Sequence, residues 1–290
     1  MAGYKGNGIN PSGFDRSQIK IYIILLPLAV FMLFPIVFIF CHALKPIDEL
    51  FAFPPQFWVY KPTLENFSKL MKVSRTSGIP MSRYVFNSII ITGSVVFFGV
   101  LFSTMAAFAL SKLRFKGKNT MMNINQAALM FVPVAVAIPR YLTVNFLGLT
   151  DTYWAHILTL IPIPVALFLI KQFVDGVPDS LIEAAYIDGA SEFKVFRSIV
   201  IPLSKPAIAT GSILIFQQVW GNMETSNYYI NKESMKSLTF YMNTIANANN
   251  TVAGQGMQAA ASLIMFVPNL ILFIILQGSI MNTMAHSGIK

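Results

Sequence analysis

Residues 183–206 read EAAYIDGASEFKVFRSIVIPLSKP. Glu183, Asp188, Glu192, Lys194 and Arg197 crowd into this stretch ahead of Pro202, in a chain that is 55% hydrophobic and only 11% charged. Long apolar runs lie on both sides of it. No Asp, Glu, Lys or Arg occurs in residues 21–44, 84–111, 119–139, 152–170, 206–223 or 237–289. A membrane-spanning helix needs about 20 predominantly apolar residues to cross roughly 30 Å of hydrocarbon. Barrel strands would be shorter and alternating, so the runs are helices. The chain reads as an all-α membrane protein with six spans at about 20–43, 84–111, 119–146, 152–174, 204–222 and 258–283. The polar stretch is the loop between spans four and five, about 178–202.

The net charge of +9 is a statement of topology and not of nucleic-acid binding. With the amino-terminal segment 1–19 and the tail 286–290 both inside, the inner side collects the basic residues before span one, after span two (Lys112, Arg114, Lys116, Lys118), around the polar stretch and at Lys290. The short outer loops are poor in Lys and Arg, as the positive-inside rule requires. Trp154 and Trp220 are expected at the outer interface. Span one lacks a small-residue cleavage site and reads as an uncleaved anchor. Cys41 is the single cysteine, so no intrachain disulfide forms.

Within span two, Gly99, Ser103 and Ala107 recur every fourth residue, a stripe that lets another helix approach closely. Spans three and four carry Pro133, Pro139, Pro162 and Pro164, tolerated where neighbours satisfy the freed carbonyls. Arg140 is expected to snorkel or to pair with Asp151. The outer loop 223–257, with its NTIANANNTVAGQG stretch, is expected to hold little regular structure.

The polar stretch reads as two short helices. Ser180 and Glu183 have capping-box spacing for a helix over 181–188. Gly189 stands where a left-handed residue ends such a helix. Ser191 caps a second helix running toward Arg197, which IPLSKP breaks before span five. Leu181, Ala184, Ala185 and Asp188 share one face, and the two alanines remove bulk so that a partner can approach. An apolar face this small anchors poorly in a membrane surface, which favours docking to a protein.

On these residues the chain resembles the prokaryotic ABC importer permeases. Their signature loop reads here Glu183, Ala184, Ala185, Gly189, Ile199, Ile201 and Pro202, with Ile201 where leucine is usual. The stretches NSIIITGSVVFFGVLFSTMAAFALSKLRFKGK (87–118), LGLTDTYWAHIL (147–158), FLIKQFVDGVPDSLIEAAYIDGAS (168–191) and IVIPLSKPAIAT (199–210) resemble the carbohydrate-uptake, maltose-type members, specifically the shorter subunit of their heterodimer. The resemblance covers about residues 20–285. It implies a type I importer permease fold whose loop is a coupling helix seated in a cytoplasmic ATPase, with Leu181, Glu183, Ala184, Ala185, Asp188, Gly189, Ala190 and Phe193 at the contact. It also implies a second permease subunit, two ATPase subunits carrying ATP and Mg, an extracytoplasmic solute-binding protein reaching the 223–257 loop, and surrounding lipid. The solute is expected to be a sugar, with other solutes open. Family members often read Trp-Asn after span five, whereas this chain reads Trp220-Gly221-Asn222.

The chain has no G-x-x-x-x-G-K-[ST] phosphate loop, so ATP chemistry is expected on another chain. Aquaporin-like Asn-Pro-Ala caps, a selectivity-filter string and an arginine-periodic sensor are missing. All twelve Asp and Glu fall in loops or at span ends, which argues against an ion-coupled carrier. His42, His156 and His286 have no metal-ligand spacing and read as lone interfacial histidines. In span five, Gln217 and Gln218 rise about 16–18 Å above Pro206. Two adjacent amides at that depth need partners, either a neighbouring helix or, with Asn222, the substrate path.

Overall fold

The computed structural model describes residues 19–76, 78–131, 133–248 and 252–287. The amino-terminal segment, the last residues of the tail and the tip of the 223–257 loop lie outside them. All regular secondary structure among the described residues is helical, with no strand. Three helices are long and apolar enough to span a membrane unaided, α1 (Ile19–Leu44), α4 (Met81–Lys112) and α15 (Val252–Ser287). Three more spans are broken pairs: α5 (Lys118–Met130) with α6 (Ala137–Phe146), α7 (Tyr153–Leu160) with α8 (Pro164–Asp175), and the helical segment Glu192–Leu203 leading into α12 (Lys205–Trp220).

The breaks differ from the continuous spans expected at 119–146 and 152–174, and proline accounts for them. Pro164 bars the helical region to the residue before it, and Ile163 is extended at φ −122°, ψ 90°. With Pro162 also lacking an N–H, α7 ends at Leu160, and α8 restarts at a 43° angle with Pro164 in its first turn. Pro133 similarly opens a 3₁₀ turn, Pro133–Val136, between α5 and α6. By contrast Pro27, Pro35 and Pro268 lie inside unbroken helices.

The small-residue stripe is a packing surface, as expected. Ser103 and Ala107 are buried, and a Cβ on Gly99 would sit 3.4 Å from Ile215 Cδ1 of α12. Ile91 and Val95 of α4, Ile157 and Leu160 of α7 and Ile215 and Val219 of α12 form the mid-span core.

At the end away from the polar stretch, the 223–257 loop is far more ordered than expected. It contains α13 (Glu224–Tyr228) and α14 (Leu238–Ala248). Leu238, Tyr241, Met242 and Ile245 follow helical i, i+3, i+4, i+7 spacing and are buried together with Leu70, Tyr84 and Trp220. That periodicity stands in the sequence, overshadowed by the asparagines beside it. Trp220 is therefore a core residue and not an interfacial one; its indole N–H donates to the Met265 carbonyl at 3.1 Å.

Gly256 of α15 is a close-approach position. A Cβ there would lie 2.6 Å from Asn66 Oδ1 of α3 (Glu65–Thr76). Asn66 cannot retreat, because its buried amide donates to the Ala43 and Lys45 carbonyls at 2.9 and 2.8 Å, tying off the end of α1. Gly256→Ala is expected to destabilise the protein by about 1–3 kcal/mol through overpacking, visible as a lowered melting temperature in detergent. Gly99→Ala, whose added methyl meets only ordinary contacts, is the comparison and should be nearly neutral.

Candidate functional site: the helix pair between spans four and five

The polar stretch folds as two helices set against the ends of α4 and α8. α9 covers Asp179–Ile187 and α10 covers Glu192–Val195. The expected capping box is not formed. α9 starts at Asp179, two residues early, with Pro178 in the extended cap position and no side-chain cap bond. Ser180 thus lies inside the first turn, where its hydroxyl cannot serve as a cap, and Glu183 is exposed. Asp179 supplies the negative charge that a helix N-terminus favours.

The other end of α9 is as expected. Gly189 adopts φ +78°, its N–H donates to the Tyr186 carbonyl at 3.0 Å and the Ala190 N–H donates to the Ala185 carbonyl at 2.9 Å. This pair of bonds is the Schellman arrangement, which requires a left-handed residue at Gly189. Ser191 caps α10, accepting from the Lys194 N–H at 3.4 Å. A wide, π-helical turn, Phe196–Val200, and α11 (Ile201–Leu203) follow, and α12 departs at 80° from this segment. The extra residue in a π turn re-aims the chain, so that Val195, Phe196 and Val200 all stay buried.

The inner face of the pair is fastened to the spans. Ile182, Val195, Phe196 and Val200 pack on Ala107 and Phe108 of α4 and on Ile170 and Val174 of α8, with the Phe108 and Phe196 rings 5.5 Å apart. A set of ionic bonds reinforces the joint. Lys112, the last residue of α4, has a side chain only 7% exposed. Its ammonium donates to the Val177 carbonyl at 2.6 Å and to Asp179 Oδ1 at 2.7 Å. Ser111 donates to Asp175 Oδ1 at 2.6 Å, Lys171 pairs with Asp175 at 2.7 Å, and Lys118 donates to the Ser111 carbonyl at 2.9 Å. The Lys112 hydrogen bond holds the Asp179 carboxyl below the usual carboxylate range. Sequence reading counted Lys112 only as a topology charge; nothing in its local sequence names a partner 67 residues away.

The outer face is apolar and uncovered. Leu181, Ala184 and Ile187 step along it at three-residue intervals, Ile187 being 86% exposed, with Asp188 beside them and Phe193 of α10 66% exposed. Ile187 escaped the sequence reading, although the 181/184/187 spacing marks it. Ala185 differs from its expected placement. It sits at the edge of the face, half-buried against the Ile182 side of the joint, as is Ala190. Together these side chains make a shallow convex ridge backed by rigid packing, a shape suited to insertion into a complementary cleft.

The candidate path residues divide. Gln217 and Gln218 are exposed near the far end of α12. Asn222 is engaged within the chain, its Oδ1 accepting from the Thr225 N–H at 3.1 Å and the Thr225 hydroxyl at 3.0 Å to hold the start of α13. His156 is not interfacial but fully buried, its ring within 2.7 Å of the Thr225 hydroxyl and 3.3 Å of the Met235 carbonyl. Arg140 bonds Tyr229 and does not pair with Asp151. Asp151, in a left-handed conformation at φ +59°, accepts from the Asn231 and Lys232 N–H groups at 2.6 and 3.1 Å. These bonds keep its carboxyl below the usual range.

The sequence profile described as binding-protein-dependent transport system inner membrane component matches residues 99–279. The chain is 29% identical over 278 residues to the probable ABC transporter permease protein YurM of Bacillus subtilis, covering 94% of this chain and 89% of that one. It is 27% identical over 282 residues to the arabinooligosaccharides transport system permease protein AraQ of the same organism, covering 96% and 97%. Its fold matches a chain in the crystal structure of a bacterial ABC transporter involved in import of the acidic polysaccharide alginate, with TM-score 0.75, 21% identity and coverage of 93% and 99%.

Proposed function

The chain belongs to the family of binding-protein-dependent transport system inner membrane components, and from that premise we propose that it is one of two permease subunits forming the path of an ATP-driven oligosaccharide importer. The observation that carries this reading is the exposed Leu181–Ala184–Ile187 ridge on a helix fastened to the ends of α4 and α8. Such a ridge is a coupling helix: it seats in a separate ATPase, and closure of the ATPase pair around ATP and Mg²⁺ moves it. Because Ile182, Phe196 and Lys112 tie it to the spans, its movement is delivered to them without slack. Ala184, Gly189 and Ala190 keep the ridge low, while Glu183 and Asp188 face basic groups on the partner. The ATPase side is cytoplasmic, as are both termini, in agreement with the clustering of Lys and Arg at this end.

A sugar is the solute class favoured by the AraQ likeness, and the solute-binding protein meets the opposite end, where α13 and α14 are exposed at their edges. Gln217 and Gln218 carry the polar contacts of the path. Their amides lie on the surface of this chain, so in the membrane their partners must come from the second permease or from a sugar hydroxyl. Gln217→Ala and Gln218→Ala are expected to change relative uptake among sugars a few-fold for at least one position, the loss of a single hydrogen bond of about 0.5–1.5 kcal/mol. Equal loss for every sugar would place both amides at the subunit interface instead.

The decisive experiment is reconstitution in proteoliposomes with the partner permease, the ATPase and the binding protein, followed by labelled oligosaccharide uptake. Uptake should require both ATP and the binding protein. Uptake driven by a proton or sodium gradient without ATP would identify a secondary carrier.

A further inference from the structure

The connection between α1 and α3 carries a surface that the importer reading does not use. Between Glu49 and Lys61, residues 50–60 read LFAFPPQFWVY and contain no charge. Phe51, Trp58 and Tyr60 are exposed, and Phe53 is 95% exposed. A soluble loop with this content would be an aggregation hazard. The loop is nonetheless fixed from both ends. The ammonium of Lys45, itself buried, donates to the Gln56 carbonyl, and the Glu49 carboxylate accepts from the Tyr60 and Lys61 N–H groups at 3.0 and 2.7 Å. Lys45 and Glu49 thus hold the loop backbone, while the exposed charges of Asp48 and Lys61 flank the apolar run without interrupting it.

Its placement along α1 indicates what covers it. Phe57 stacks on Phe34 at 4.5 Å and lies 5.8 Å from Phe38. Phe34 precedes the end of α1 at Leu44 by ten residues, about 15 Å along the axis at 1.5 Å per residue. α1 as a whole is about 39 Å long by the same rise, against roughly 30 Å of hydrocarbon. Phe57 therefore folds back beside the span to a level inside the apolar layer. The Tyr60 N–H donates to Glu49, past the end of α1, and Trp58 meets Phe57 edge-on at 5.0 Å, so the loop carries amphipathic rings of the kind that favour the membrane–water boundary.

We propose that residues 51–60 form a preformed interfacial anchor buried in the leaflet opposite the coupling helix, the outer leaflet in the proposed orientation, with phospholipid as its partner. The anchor continues the apolar surface of α1, and its pins, the buried Lys45 and the half-buried Glu49, keep it from folding onto the aqueous face.

Site-directed spin labelling of the assembled transporter in phospholipid nanodiscs tests this. Cys41, the only cysteine, is replaced by alanine, the other subunits are made free of reactive cysteine, and a nitroxide is placed by Phe53→Cys, by Trp58→Cys or, as an aqueous control, by Lys232→Cys. At positions 53 and 58 dissolved oxygen should relax the label more than a water-soluble nickel chelate does, with the reverse order at 232. Greater accessibility to nickel at 53 and 58 would overturn the proposal. Protection from both reagents would overturn it as well, placing another subunit over the loop. Agreement between the two labelled positions guards against one of them disturbing the loop.

Discussion

Ala184→Arg is expected to abolish solute-stimulated ATP hydrolysis while leaving membrane insertion and assembly of the permease pair intact. Ala184 lies mid-ridge with its side chain outward, so a long cation there alters no packing within the chain but lifts Leu181 and Ile187 away from a cleft shaped for them. Loss of a central, tightly packed contact costs about 2–4 kcal/mol in protein interfaces, on the order of thirtyfold or more in affinity. Co-purification of the ATPase with the variant, followed by hydrolysis with and without loaded binding protein, measures both parts. Ala185→Arg would be less informative, since Ala185 packs half-buried on the chain's own core and a charge there would also disturb the fold. Unaltered hydrolysis by Ala184→Arg would remove α9 from the role of coupling element.

Lys112→Met is expected to separate ATP hydrolysis from transport. The substitution keeps the buried aliphatic stem but leaves the Val177 carbonyl and Asp179 without the ammonium between them. α9 would then remain attached to α4 by apolar contact alone, so that movement of the ridge is delivered less faithfully to span two. The expected result is near-normal hydrolysis with sugar moved per ATP reduced several-fold, and partial rescue by Lys112→Arg. A purely structural role would lower both activities in parallel and leave their ratio unchanged. The pH dependence follows from the sign of the Asp179 shift. Its carboxyl is held below the usual carboxylate range in the folded chain, so its contribution is present above that range and is lost as pH falls through the depressed value. At neutral pH the strut is therefore intact.

Much of this molecule could be read without its coordinates, for a physical reason. In hydrocarbon each backbone group must be satisfied within its own helix, so charge-free length alone located six spans. Local hydrogen bonding likewise made the turn at Gly189 and the cap at Ser191 legible, because each depends on residues within one turn. Even the helix 238–248 and the ridge position of Ile187 were present as spacing.

Tertiary structure alone decided matters that depend on distant partners. The capping box at Ser180 and Glu183 was locally allowed, but Pro178 and the clasp from Lys112 started α9 at Asp179 instead. Trp220, His156 and Asn222 have side chains equally suited to an interface, a site or a core, and only the packing of α13–α15 around them put Trp220 and His156 inside and engaged Asn222 with Thr225. Ala185 turned partly inward because α4 and α8 stand on that side of the helix. Sequence determined which segments enter the membrane, since that balance is struck residue by residue against lipid; which face of each helix meets which neighbour was set by contacts between segments far apart in the chain.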